Sequence, residues 1–391
     1  MPGPLDGLVV LDLSRILAGP TCTQLMGDLG AEVIKIESPS GDDTRTWGPP
    51  FALDPTGKPT DLSAYFMSSN RNKKSVALDL TDPVAQQALN DLAGRADVVI
   101  ENFKPGGLKK YGLDHATLCA AYPGLVYCSI SGFGQTGPNR DKPGYDLMAQ
   151  GFGGIMSITG EAGEEPMKVG VGVADVVCGL YATVGILSAL RHRDATGEGQ
   201  HIDIALVDAT MSWLVNQGLN YLTSGVAPTR AGNAHPNIVP YQVFETRDGY
   251  VIVAVGNDSQ FARFCDYLGQ GDWASDPRFA TNTARLTHRD LLVGQIAETL
   301  AGRDTDHVIA GLELRKVPVG PVNTIEQALE SDQAQARDMT VTLSAPQTAK
   351  GEVRLLGNPL KFSRTPVSYR SAPPSLGADT EAVLARIKSG L

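Results

Sequence analysis

Residues 8–37 read LVVLDLSRILAGPTCTQLMGDLGAEVIKIE. LVVLDLS (8–14) is a β-branched, apolar run that predicts a strand, GPTCTQLMGDLG predicts a helix, and AEVIKIE (31–37) predicts a second strand. Strand, helix and strand in so short a span make a βαβ unit, which implies a parallel sheet. Working outward, SVALDL (75–80), ADVVIENF (96–103), GLVYCSIS (124–131) and HIDIAL (201–206) are further strand candidates, with helical segments between several of them. The expected fold class is therefore α/β, a doubly wound, Rossmann-like domain over residues 1–200.

Near residue 225 the character changes. SGVAPTRAGNAHPNIVP is rich in Gly and Pro, and YQVFET and YVIVAV then flank an Asp-Gly turn as two strands. This predicts a linker into a smaller α+β domain, with helices near 260–268, 284–301 and 304–314. Residues 351–363 supply late strand material, and PPSLGADTEAVLARIKSG predicts a capped terminal helix.

A chain of 391 residues exceeds the size at which one hydrophobic core normally stops growing, so two domains are expected. The formal charge of -10 argues against nucleic acid and anionic membrane as partners, because both require a basic face. The opening MPGPLDGLVVLDLS lacks a basic stretch before an apolar core, and no apolar run is read as long enough to span a membrane, so the expected location is cytoplasmic. Five cysteines without a C-x-x-C pair argue against a disulfide framework or a zinc site.

The chemistry turns on one acid. VADVVCGLYATVGILSALRHR (173–193) is apolar on nearly every face and predicts a buried helix, with Asp175 in its first turn. Asp175 can be a cap that satisfies free backbone N–H groups. It can also be a carboxylate kept ionised by the helix end and used as a nucleophile. GFGQTG (132–137) matches G-x-G-x-x-G, but Pro138 and Pro143 stand where a dinucleotide-binding helix would follow, so no nicotinamide cofactor is expected. NRNKKS (70–75) and Lys109–Lys110 are the densest basic features; they read as solvated charges or, with Arg15, as phosphate ligands. The six histidines show neither metal spacing nor a nucleophile partner motif, so no metal is expected.

LDLSRILAGPTCTQLMGDLGAEVIKIE, NRNKKSVALDL, ENFKPGGLKKYGL and GVADVVCGLYATVGILSAL, in that order, resemble the family III CoA-transferases of the formyl-CoA transferase type, and the resemblance runs from residue 4 to the terminal PPSLGADTEAVL. It implies a large CoA-binding domain built from both chain ends (1–200 and 335–391), a small domain (225–330), linkers at 201–224 and 331–334, and an interlocked homodimer. It also implies that Asp175 is the nucleophile and that Arg15, Ala18, Leu78, Asn102, Phe103, Lys110 and Tyr111 contact CoA, with Tyr145 and Asp146 near the acyl group. The implied cycle passes through an aspartyl anhydride and an aspartyl-CoA thioester, with no cofactor beyond the CoA thioester itself. Water must be kept from the anhydride, a task for the 132–137 or 225–240 segments. Arg15, Leu17 and Pro143 replace the His, Gln and Lys of formyl-CoA transferase, and its glycine-rich loop is missing. Formate and oxalate are therefore not the expected substrates, and GNAHPNIVPYQVF and NPLKFS resemble the branch that acts on dicarboxylates such as succinate, glutarate or hydroxymethylglutarate. Two alternatives stay open: an α-methylacyl-CoA racemase, which would want a proton-transferring His where Tyr145 stands, and a non-catalytic acyl-CoA binding protein.

Overall fold

The computed structural model describes residues 2–389, which divide into two compact units. The first holds the chain up to Ile155, Lys168–Val215 and the residues from Asp332 onward; the second holds Met156–Met167 and Asn216–Ser331.

The first unit is built on six parallel strands: β1 (Val9–Asp12), β2 (Glu32–Glu37), β3 (Lys73–Ala77), β4 (Val98–Glu101), β5 (Val126–Ser131) and β6 (His201–Ala205). Their spatial order is β3-β2-β1-β4-β5-β6. Order reverses between β1 and β4, so the carboxyl ends of those two strands open a crevice. Alternation along the strands divides the core between the two sheet faces. Val10, Ile100, Cys128 and Ile130 pack under α1 (Ala18–Asp28) and a 24-residue helix, Val173–Thr196. Leu11, Val99 and Tyr127 face the other way, onto Leu89 and Leu92 of α2 (Pro83–Ala93), Leu118 of α3 (His115–Ala121) and Val383 of the C-terminal helix Thr380–Lys388.

Numbering onward, α4 is Asp146–Phe152 and α5 is Val173–Thr196, which ends on Gly197 at φ +81°. Length and composition alone would let α5 cross a bilayer, which corrects the expectation that no apolar run is that long. In this fold it is a core helix: Cys178, Ala182, Ile186 and Ala189 are buried in the cluster beneath the sheet. It lies close against α1 at Gly179, where an added Cβ would come within 2.5 Å of the Ala18 carbonyl oxygen.

Two further expectations are corrected. Residues 201–224 are not a linker, because 201–205 form β6 at the sheet edge and 206–212 and 215–224 are helical. NRNKKS is not a solvated or phosphate-facing run either. Arg71 is buried against Asp28 (2.6 Å), Asn72 donates to the same carboxylate (2.8 Å), and Lys73 is buried against Asp12 (3.2 Å). Two of the three charges in the run are thus consumed inside by carboxylates from earlier elements, while Lys74 stays partly exposed in a pair with Glu32 (2.7 Å).

In the second unit, β7 (Tyr241–Glu245), β8 (Tyr250–Ala254) and β9 (Val319–Pro321) form an antiparallel sheet, with the predicted hairpin joining the first two. Phe261, Phe264, Leu292, Ile296 and Val308, from three helices, fill its core.

Candidate active site

The crevice at the switch point holds a cavity of about 390 Å3 lined by residues of the first unit. The turn after β1 contributes Arg15, Ile16, Leu17 and Ala18; the turn after β4 contributes Asn102, Phe103, Lys104 and Pro105; Ile130, Ser131 and Gly132 come from the end of β5. Lys142, Pro143, Gly144, Tyr145, Leu206 and Asp175 complete the wall. Two backbones cross tightly beside it. A Cβ on Gly144 would lie 2.0 Å from the Gly132 Cα, so neither position has room for a side chain.

Asp175 is the third residue of α5 and 8 % exposed. It does not cap the helix. Asp146, the first residue of α4, does so from another element: its Oδ1 accepts the N–H of Ala174 (2.8 Å) and of Asp175 (3.4 Å). Its Oδ2 accepts Nε2 of buried Gln150 (2.7 Å), whose Oε1 in turn accepts the Val169 N–H (2.9 Å). The free amides of the helix start are thereby satisfied by Asp146. Among the described residues no hydrogen bond reaches the Asp175 carboxylate.

Burial, and then the Asp146 charge, push the Asp175 carboxyl up to about 7. The expected helix-end ionisation is thus outweighed by desolvation and a like charge. At neutral pH the group is divided between carboxylic acid and a poorly solvated carboxylate. Tyr65 was not singled out by its sequence context, yet its phenol is raised by burial and then by the charges of Asp175 and Asp146.

Of the expected site residues, Arg15, Ala18, Asn102, Phe103, Tyr145 and Asp175 are brought to the cavity, with Asp146 directly behind Asp175. Leu78, Lys110 and Tyr111 are not among its lining residues. Leu78 and Tyr111 pack with Phe103 onto the α2–α3 side of the core, and the Lys110 ammonium lies 4.6 Å over the Tyr111 ring. Asn102 holds the chain: its Oδ1 accepts the Arg15 N–H (2.9 Å) and its Nδ2 donates to the Arg15 carbonyl (2.8 Å). The Arg15 guanidinium pairs with Asp43 at 2.9 Å in the open, an exchangeable contact for a group that could meet a phosphate. Lys104 and Lys142 bring two more cations to the wall. Lys104 lies within ENFKPG; nothing in its local sequence marks Lys142.

The loop 132–137 is not a phosphate-binding helix start. Gly134 and Gly137 sit at φ +84° and +86°, and both carboxylate oxygens of Asp203 accept the Gln135 N–H.

The sequence profile of CoA-transferase family III matches residues 5–380. Over 391 residues the chain is 49 % identical to a succinate–glutarate CoA-transferase of Agrobacterium fabrum, covering 99 % of this chain and 96 % of that one. It is 38 % identical to the human succinyl-CoA:glutarate CoA-transferase over 385 residues, 98 % of this chain and 86 % of the relative. A crystal structure of a CaiB/BaiF family protein from Brucella suis superposes with a TM-score of 0.87 at 48 % identity, covering 99 % of this chain and all of the other.

Proposed function

The chain belongs to CoA-transferase family III, and from that premise we propose that it moves CoA from an acyl-CoA to a dicarboxylic acid such as succinate or glutarate, with Asp175 as the covalent nucleophile. The observation that carries this reading is the state of Asp175: it faces a cavity at the switch point, is relieved of capping by Asp146, and is raised to about 7. A carboxylate stripped of water and of hydrogen-bond donors is a stronger nucleophile than a solvated one.

In the proposed cycle an Asp175 oxygen attacks the thioester carbonyl, the C–S bond breaks, and CoA leaves as thiolate beside an aspartyl–acyl anhydride. The thiolate attacks the aspartyl carbonyl, the anhydride C–O bond breaks, and the donor acid leaves as carboxylate. The acceptor carboxylate then attacks the aspartyl-CoA thioester and frees the thiolate again. That thiolate takes the acyl group from the second anhydride and restores the Asp175 carboxylate. Every step exchanges one anion for another, so no proton has to be moved. The names of the relatives from Agrobacterium fabrum and human support the choice of dicarboxylates. Arg15, Lys104 and Lys142 are the cations proposed to meet the CoA phosphates.

The proposed protein is a cytoplasmic homodimer. The partner surface is supported by the outer face of α5, where Leu180, Tyr181 and Val184 are exposed, and by exposed Met211 and Trp213 alongside, with Ser212 within hydrogen-bond reach of the Tyr181 hydroxyl. The direct test of function is to supply succinyl-CoA with a panel of acids and identify the CoA esters by mass spectrometry. Glutaryl-CoA formation supports the reading; transfer to no acid defeats it. A racemase would instead exchange the α-proton of its substrate with deuterated solvent.

A further inference from the structure

Ile16, in the turn between β1 and α1, has φ +71°. This is the left-handed region, where a β-branched side chain crowds the following carbonyl. Such a residue persists only where its surroundings over-determine it, and such sites concentrate around ligands. Here the restraint is explicit. The Ile16 N–H donates to both oxygens of Asp42, at 3.3 and 3.1 Å. Asp42 is paired with Lys35 (2.9 Å), and both side chains are wholly buried. Lys35 also donates to the Ser14 carbonyl (2.8 Å), one residue before the turn, while Thr44 N–H and hydroxyl fix the Asp42 Oδ1 at 3.0 and 2.8 Å.

A buried ion pair is seldom the most stable filling for a core. This one sits under a single wall of the cavity, and its hydrogen bonds run to the backbone of the residue that is strained. We propose that Lys35 and Asp42 are positioning residues that lock Ile16 in the left-handed conformation, so that Arg15 and the start of α1 present a fixed wall to the CoA ester. The lock, and not a contact made by the Ile16 side chain, sets the affinity. The inference rests on the reading of this cavity as the acyl-CoA site. Without the lock, only the fraction of molecules with a competent turn binds, and the apparent affinity falls by that fraction. Kd for CoA and KM for the acyl-CoA then rise together, while kcat of the bound complex stays nearly constant.

Two substitutions at one position separate conformation from side chain. Ile16→Pro forces φ to about −65° and deletes the donor to Asp42, whereas Ile16→Gly can adopt the left-handed turn freely. CoA binding is measured by calorimetry, and kcat and KM are measured with succinyl-CoA and glutarate. The lock predicts that Ile16→Pro binds CoA at least about tenfold more weakly than Ile16→Gly, with kcat values within about threefold of each other. Equal affinities for the two variants overturn it, as does a difference confined to kcat. Should thermal denaturation show Ile16→Pro unfolded, Asp42→Asn is compared with Asp42→Asn/Ile16→Gly. The lock predicts that the double variant binds at least about threefold more tightly than the single one, because glycine no longer needs restraining; equal or weaker binding overturns it. Wild-type protein that binds no CoA at all defeats the acyl-CoA reading itself, whereas indistinguishable variants of a CoA-binding protein defeat only the lock.

Discussion

The Asp175 carboxyl holds its proton up to about pH 7 because burial withholds water and Asp146 adds a like charge. In the unfolded chain the same group titrates near 3.8. Below both values it is protonated in both states and contributes nothing. As pH rises from about 4 to about 7 the unfolded chain releases the proton and the folded one retains it, so stability is lost through that window. Asp175→Asn should therefore raise Tm by at least about 3 °C at pH 8 and by less at pH 5; equal shifts at both pH values, read by calorimetry, would show that the carboxyl is not perturbed. The acid limb of kcat/KM should fall below about pH 7. In Asp146→Asn that limb should move to lower pH, since the amide oxygen can still accept the Ala174 N–H while the repelling charge is gone. As a lone acid at the start of an apolar helix, Asp175 stood out in the sequence. Its ionisation did not, because the residue that takes over the capping lies 28 positions before Ala174, on another element. The NRNKKS run misled for a related reason: composition counts charges, but only the fold says that Asp12 and Asp28 wait for them inside.

Helix α5 carries Asp175 to the crevice, and its depth is fixed by the close approach to α1 at Gly179. A Gly179→Val side chain would meet the Ala18 carbonyl and Thr21. It should destabilise the protein by about 1–3 kcal/mol in urea unfolding and weaken CoA binding through the turn that precedes α1. Full stability in Gly179→Val would mean that the two helices can part without cost. At this scale the sequence was most informative where one period ran unbroken, as in the βαβ unit of residues 8–37 and the helix from residue 173. It was least informative where an element is short. The strand read at 75–80 runs instead over Lys73–Ala77, because buried Lys73 is a sheet residue, whereas the strand expected at 201–206 is β6 even though the domain division assigns the same residues to a linker. The strained turn at Ile16 had no sequence signal, since nothing in SRILAG announces a left-handed isoleucine.

On the scale of the whole molecule, the exposed Leu180, Tyr181 and Val184 on α5 are an apolar face that a second copy is proposed to cover. Light scattering should give a dimer for the native chain, and Leu180→Glu/Val184→Glu should shift it toward monomer; a native monomer would sink that assignment. Composition could announce two domains and an acidic surface, yet it could not name the acids, because the cavity proposed to receive them is lined by side chains from separate turns of the chain. Covalent transfer through Asp175 would leave a thioester or anhydride that hydroxylamine traps. The protein is mixed with succinyl-CoA, quenched with hydroxylamine and digested, and its peptides are read by mass spectrometry. A hydroxamate is expected on Asp175, absent without acyl-CoA and absent in Asp175→Ala, which should also lose transfer to glutarate. Glutaryl-CoA formed by Asp175→Ala at the native rate, or a hydroxamate on any other residue, would contradict it.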